Sequence, residues 1–323
     1  VRKDTDVLRY TAYRIVQLIP VLFLVSIFVF SIIHLLPGDA IDALMDDEAG
    51  DDPEVRAALE KELGLDKPIY AQYATWLGKI VLHGDFGKST ATRRSIGVEL
   101  FERVPATIYL AVVAVLISLL IAVPFGTIAA VKRRTLTDYT ATATAMAGIS
   151  IPEFWFAIMC VLFFSLYLNV LPSSEYYSPF ENLGLSLKHL ILPAAALGVR
   201  LAAITTRLTR SAMLDEIRKD YVDTARALGL PERRVIYRYT LRNALIPTVT
   251  VSGLQFARLL GGTVVIETIF SWPGIGLSLY EAILSRDYPM VQAAVMILAV
   301  GFVLVNLAVD LTYRLLNPRI RLG

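Results

Sequence analysis

Long apolar stretches, set apart by charged or turn-forming segments, organise this chain from end to end. Ile15–Leu36 carries no formal charge between Arg14 and Asp39. At about 1.5 Å of rise per residue it is long enough to cross a hydrocarbon layer of roughly 30 Å. Val104–Val131 is a second such stretch, Asn243–Ile266 a fifth and Pro289–Tyr313 a sixth. The third region starts as a Thr- and Ala-rich run at Tyr139, is interrupted by Pro152 and Glu153, and continues as the strongly apolar Phe154–Leu171. It reads as one long helix kinked at the proline. The fourth, Leu187–Thr206, is short and contains Pro193. The pattern therefore predicts an all-α integral membrane protein with six spanning helices. Gly261-Gly262 in the fifth span reads as a place of close helix approach.

Composition agrees with that pattern. Hydrophobic residues make up 55% of the chain and charged ones 19%, and the mean hydropathy is +0.58, which excludes an ordinary soluble domain. The net charge of +2 leaves no nucleic-acid footprint, so basic residues matter by placement. Arg2, Lys3, Arg9 and Arg14 precede span one, and Lys132, Arg133 and Arg134 follow span two. The segment after span four holds Arg207, Arg210, Arg218, Lys219, Arg226, Arg233, Arg234, Arg238 and Arg242, and the tail holds Arg314, Arg319 and Arg321. By contrast, 169–186 has no Lys or Arg, and 267–288 has only Arg286. The positive-inside bias then places both termini in the cytoplasm of a multi-pass cell-membrane protein.

The expected organisation is a cytosolic segment 1–14, a first span 15–36, an external domain 37–103, a core 104–316 with a cytosolic loop 207–243, and a cytosolic tail 317–323. The external domain carries an acidic run from Asp46 to Glu54 and a helix capped by Asp52 that runs from Pro53 to Leu63. The first apolar run is too long for a signal-peptide core and reads as a retained anchor. Cys160 lies in an apolar stretch and reads as a small packed hydrophobe.

Gly87-Lys88-Ser89 ends as a phosphate-binding loop ends, but Leu82 stands where that loop needs its first glycine. No zinc-protease motif, nucleophile elbow or Cys/His cluster occurs, and catalytic residues and metal ligands are expected to be absent. The informative segment is Asp215–Pro231. Asp220 is placed to cap a short helix from Tyr221 to Leu228, Asp223 adds negative charge to its first turn, and Gly229 with Pro231 beyond it ends the helix. Tyr221, Ala225 and Leu228 fall on one face and offer an apolar stripe. Such a helix can dock on a protein partner, or lie on lipid headgroups held by its basic residues.

Asp223-Thr224-Ala225, then Gly229, then Leu241 resembles the loop motif of ATP-binding-cassette importer membrane subunits, written Glu-Ala-Ala, glycine, and a later Ile-x-Leu-Pro. Asp223, Thr224, Tyr239 and Arg242 depart from it, in the manner of the dipeptide and oligopeptide permease branch. Leu35–Asp39, Leu63–Pro68, His83–Gly87, Asp220–Arg226, Leu241–Ala244, Glu267–Gly274, Arg286–Pro289 and Asn317–Arg319 are similar to the same branch, in order along nearly the whole chain. The resemblance implies the type I importer permease fold, as the first of two membrane subunits. It implies a second, homologous membrane subunit, two cytosolic ATPase subunits that hold ATP and Mg, and an extracytoplasmic substrate-binding protein that docks on the external domain. This chain would bind no cofactor, and Asp220, Tyr221, Asp223, Thr224, Ala225, Arg226, Leu228 and Gly229 would form the coupling helix seated in an ATPase groove.

Charges inside the spans are the remaining candidates, because an ionisable group in hydrocarbon needs protein or water for company. Arg258 sits near the middle of span five, where it either lines the translocation path and meets a peptide carboxylate or pairs with a carboxylate on a neighbouring helix. Glu153, beside Pro152, is a further candidate for the path, and Glu153 and Arg200 in span four are possible partners for Arg258. A secondary transporter would show inverted repeats or paired carboxylates, and a membrane hydrolase would show a nucleophile with its base; neither pattern is present. Relatives of this pattern carry dipeptides, oligopeptides, glutathione, nickel complexes or oligosaccharides, so substrate is the open question.

Overall fold

The computed structural model describes residues 16–31 and 67–316. Among these the chain is helical, and the only extended pairing is an isolated bridge between Lys88 and Ser95. The helices are α1 (Val16–Ser31), α2 (Ile69–His83), α3 (Ile96–Val131), α4 (Leu136–Ser150), α5 (Glu153–Tyr167), α6 (Leu183–Ile217), α7 (Asp220–Ala227), α8 (Glu232–Gly262), α9 (Val264–Ile269), α10 (Ile275–Leu284) and α11 (Tyr288–Leu316). The second half of α5 and the stretch Val235–Thr240 of α8 wind in wider, π-helical turns. The expected helix from Pro53 to Leu63, the acidic run before it, and residues 1–14 and 317–323 lie outside the described residues.

Length and apolarity qualify α3, α6, α8 and α11 to cross a membrane, and α4 with α5 if the pair is taken as one span. The first expected span is described as α1 alone. Its neighbours in the count begin and end differently from the sequence expectation: α3 starts at Ile96, α6 covers Leu183–Ile217, and α8 stops at Gly262. Region three needs a larger correction. It is two helices meeting at 100°, where a single kinked helix was expected. Ile151, which precedes a proline, is extended (φ −78°, ψ 126°), and Pro152 is extended as well (φ −60°, ψ 134°). Two consecutive non-helical residues redirect the chain where a proline inside a helix would only bend it.

The described chain divides into two compact units. One comprises residues up to Pro105 together with Pro273–Val303. In it, α1 meets α2 through Ser26 Oγ and the Tyr73 hydroxyl at 2.7 Å and through Phe30, whose ring lies 5.4 Å from Tyr73 and 5.7 Å from Trp76. Ile96 and Leu100 of α3 pack with Ile275 and Ala282 of α10 and Met290 and Ala294 of α11. Gly84, at φ +63°, ends α2. The Ser89 hydroxyl of the Gly-Lys-Ser run donates to the Asp287 carboxylate, which also accepts from the Met290 amide in the first turn of α11.

The other unit comprises Ala106–Trp272 and the chain from Leu304. Its core is built of Leu110, Leu190, Leu197, Ile266, Phe270 and Trp272, with Cys160 buried among them. Small residues let helices close on one another, as packing without a hydrophobic drive requires. A Cβ on Gly198 would lie 2.8 Å from the Ala114 carbonyl oxygen, and one on Gly126 would lie 2.8 Å from that of Thr206. Among the described residues nothing lies within 4 Å of a Cβ built on Gly261 or Gly262, so the close approach expected there is not made within the described chain. They sit at the end of α8, past the stretch where Thr205 bonds Gln255 (3.1 Å) and Thr209 meets Thr248 (3.2 Å) across α6 and α8. Large apolar side chains such as Ile19, Phe28, Leu120 and Leu166 stay exposed, as expected where the surrounding solvent is hydrocarbon or a further subunit.

Candidate functional site: the loop helix and the charges within the spans

The short loop helix forms as expected, one residue earlier. Lys219 is the extended residue before it and Asp220 is its first helical residue, with no side-chain cap. This corrects the assignment of Asp220 as the cap. Asp220 and Asp223 instead place two carboxylates in the first turn, where the helix dipole favours them. The end follows the sequence: Gly229 adopts φ +74°, its amide reaches the Arg226 carbonyl at 2.9 Å, and the Leu230 amide reaches that of Ala225 at 3.3 Å.

The expected apolar stripe does not hold together. Val222 and Ala225 are buried against Val235, with Tyr221 and Leu230 packed beside them, so Tyr221 and Ala225 face their own chain. Leu228 is 75% exposed. It lies past the last regular turn, at φ −77° and ψ 5°, so the periodicity that aligned it with Tyr221 has already lapsed. The outward surface is therefore Asp220, Asp223, Thr224, Ala227 and Leu228, followed by Gly229 with open space around its Cα.

Side-chain bonds fix the helix in place. Arg226 donates to Glu232 at 2.9 and 3.2 Å and to Asp223 at 3.2 Å, and these carboxylates, Glu232 foremost, hold its guanidinium above the usual arginine range. The Tyr221 hydroxyl donates to Glu216 Oε2 at 2.7 Å and accepts from Asn243 Nδ2 at 3.0 Å. Burial, helped by the Glu216 carboxylate, pushes that phenol above its ordinary value, so it keeps the proton it donates. The Thr224 hydroxyl folds back on the Asp220 carbonyl at 2.9 Å.

The charges within the spans sort themselves differently from expectation. Arg200 Nη1 donates to Glu153 Oε2 at 2.6 Å, joining α6 to the start of α5, so neither keeps company with Arg258. Arg258 is exposed, and among the described residues it forms no ion pair. A cavity of about 280 Å³ lies between α3, α4 and α6, bordered by Ile121, Phe125, Ala145, Ala203 and Thr206. Sequence reasoning missed Asp138, which is 3% exposed and accepts from Arg210 Nε and Nη2. It also missed Glu267, fully buried and accepting from Thr107 (2.9 Å) and Thr263 (2.8 Å). An acid in the first turn of a helix that follows a basic turn was the available signal for Asp138.

Known proteins carry the same pattern. Residues 122–322 match the family described as binding-protein-dependent transport system inner membrane component, and residues 7–111 match the N-terminal part of such membrane components. The di/tripeptide transport system permease protein DppB of Pseudomonas aeruginosa is 42% identical over 334 residues, covering 97% of this chain and 99% of that protein. The glutathione transport system permease protein GsiC of Escherichia coli is 39% identical over 314 residues with the same coverage. Among solved structures, the inward-facing MetNI methionine ABC transporter shares the fold, with a TM-score of 0.58 over 68% of this chain and 97% of that chain at 19% identity. The apolar helices, the loop helix and these matches lead to one conclusion: this chain belongs to the binding-protein-dependent transport family, as a multi-pass inner-membrane permease component.

Proposed function

We propose that this chain forms half of the translocation pathway of an ATP-driven importer for di- or oligopeptides. Its partners are a second, homologous membrane subunit, two cytosolic ATPase subunits that bind ATP and Mg, and an extracytoplasmic binding protein. Both termini and α7 face the cytoplasm, consistent with the basic runs beside them. The observation that carries this reading is α7 itself: a short helix between two spanning helices, anchored on one side and open on the other, whose outward surface of Asp220, Asp223, Thr224, Ala227 and Leu228 suits a groove on a partner. ATPase closure then turns α6 and α8 through α7 and switches the pathway between its two faces.

Small peptides are the substrate class that the relatives' names support, because a dipeptide, a tripeptide and glutathione all present amide bonds and a free carboxylate. The test is reconstitution of this chain with its membrane partner and ATPases in proteoliposomes, supplied with the binding protein and a labelled dipeptide. Uptake that requires ATP and every subunit supports the proposal. Uptake by this chain alone, driven by an ion gradient, overturns it in favour of a secondary transporter.

A further inference from the structure

Three attachments hold α7 to its unit, and they do not reach the same places. Val222 and Ala225 pack on Val235, and Arg226 bonds Glu232; both lead only into α8. Tyr221 differs. Its hydroxyl joins Glu216, in the last turn of α6, to Asn243 of α8. A phenol has one proton to donate and lone pairs to accept, so the two bonds coexist. Each end of the bridge is itself fixed, because Lys219 also bonds the Glu216 carboxylate, and Asn243 Nδ2 also donates to the Tyr239 carbonyl at 3.3 Å. Among the described residues no other side chain of α7 bonds to both α6 and α8.

We infer that Tyr221 is a positioning residue for energy coupling: its hydroxyl makes α7 move as one body with both flanking spans. The inference rests on the proposed function. A helix of 8 residues, flanked by the extended Lys219 and the left-handed Gly229, has a pivot at each end. Pushed on its outward surface without the bridge, it tilts on the α8 side and leaves α6 behind. With the bridge, the same push reaches α6 and α8 together.

The test is the Tyr221→Phe substitution, which removes one oxygen and keeps the ring in its apolar contacts. The complete complex, in proteoliposomes with its binding protein, is given dialanine and, in parallel, glutathione, and the peptide imported per ATP hydrolysed is measured. A hydrogen bond to a carboxylate is strong enough that its loss is expected to lower this ratio at least about fivefold. A merely structural role would lower complex yield, hydrolysis and uptake together and leave the ratio unchanged. Glu216→Ala should repeat the effect, whereas Glu216→Gln keeps an acceptor for the phenol and should restore the ratio. An unchanged ratio in both Tyr221→Phe and Glu216→Ala overturns the inference while the proposed function stands. A wild-type complex that imports neither peptide overturns the proposed function, and this inference with it.

Discussion

Arg210 closes on Asp138 with two parallel bonds, Nε to Oδ1 at 2.6 Å and Nη2 to Oδ2 at 2.8 Å, and so fastens α6 to the first turn of α4. The same carboxylate accepts the Arg134 amide at 3.0 Å, in the turn that separates α3 from α4. One buried acid thus holds the α3–α4 turn, α4 and α6 together in the unit that carries α7.

Asp138→Ala should therefore be among the costliest single changes outside the apolar core. It leaves a partly buried guanidinium without its partner, for which a loss of about 1–3 kcal/mol is usual. Thermal unfolding of the purified chain in detergent should show a clearly lower midpoint. The paired change Asp138→Leu with Arg210→Met should recover most of that loss, because it removes both charges at once. A midpoint for Asp138→Ala equal to that of the wild type would mean the pair contributes nothing.

Gly229→Val should act on coupling more than on folding. The position has φ +74° and nothing within 4 Å of a Cβ, so the strain is in the backbone alone, about 1–2 kcal/mol for a residue forced into the left-handed region. What the side chain does fill is the open space beside the outward surface of α7. Amounts of purified chain should stay near normal, while recovery of the ATPase subunits with it should fall. Gly229→Asn, which tolerates positive φ better, should fall less. Equal recovery for the Val variant and the wild type would argue that no partner occupies this space.

How much of this was legible beforehand depends on the kind of information each feature needs. Val104–Val131 and Pro289–Tyr313 announce themselves because a span needs only length and apolarity, and α7 announces itself through Asp223, Gly229 and Pro231. Which face of α7 turns inward was not legible. Val222 and Leu228 are both apolar, and only the path of the chain from Leu228 to Val235 decides that one is buried and the other exposed. The pairing of charges was equally hidden, since Arg200 and Arg210 both lie on α6 yet choose Glu153 and Asp138 on different helices.

Glycines make the same point and supply a third test. Gly198 and Gly261 look alike in sequence, yet a Cβ at Gly198 would press on Ala114 and Ile117 while one at Gly261 meets nothing. Gly198→Val should cost about 2 kcal/mol or more through overpacking. Gly261→Ala should be neutral, or stabilise by up to about 1 kcal/mol through the better helix propensity of alanine. Paired melting curves decide the matter, and equal destabilisation by both changes would contradict the packing described for α3, α6 and α8.

Arg258 offers the sharpest separation of structure from transport. Its guanidinium is charged at any physiological pH, it lies in α8 where the chain crosses the membrane, and among the described residues no carboxylate pairs with it. Arg258→Met should then leave thermal stability within about 0.5 kcal/mol of the wild type, since no partner in the described chain is stranded. If the side chain meets the substrate carboxylate on the pathway, the same variant should need roughly tenfold more dipeptide for half-maximal uptake, the loss expected for one charge-assisted bond. Arg258→Lys should fall between the two, keeping the charge without the planar fork. Peptides with an amidated carboxyl terminus separate charge recognition from a general disturbance, because wild type and Arg258→Met should handle them alike. A large loss of stability would instead reveal a carboxylate partner on another subunit or beyond the described residues. Unaltered stability together with unaltered uptake of both peptide forms would leave a side chain that merely stretches to nearby water.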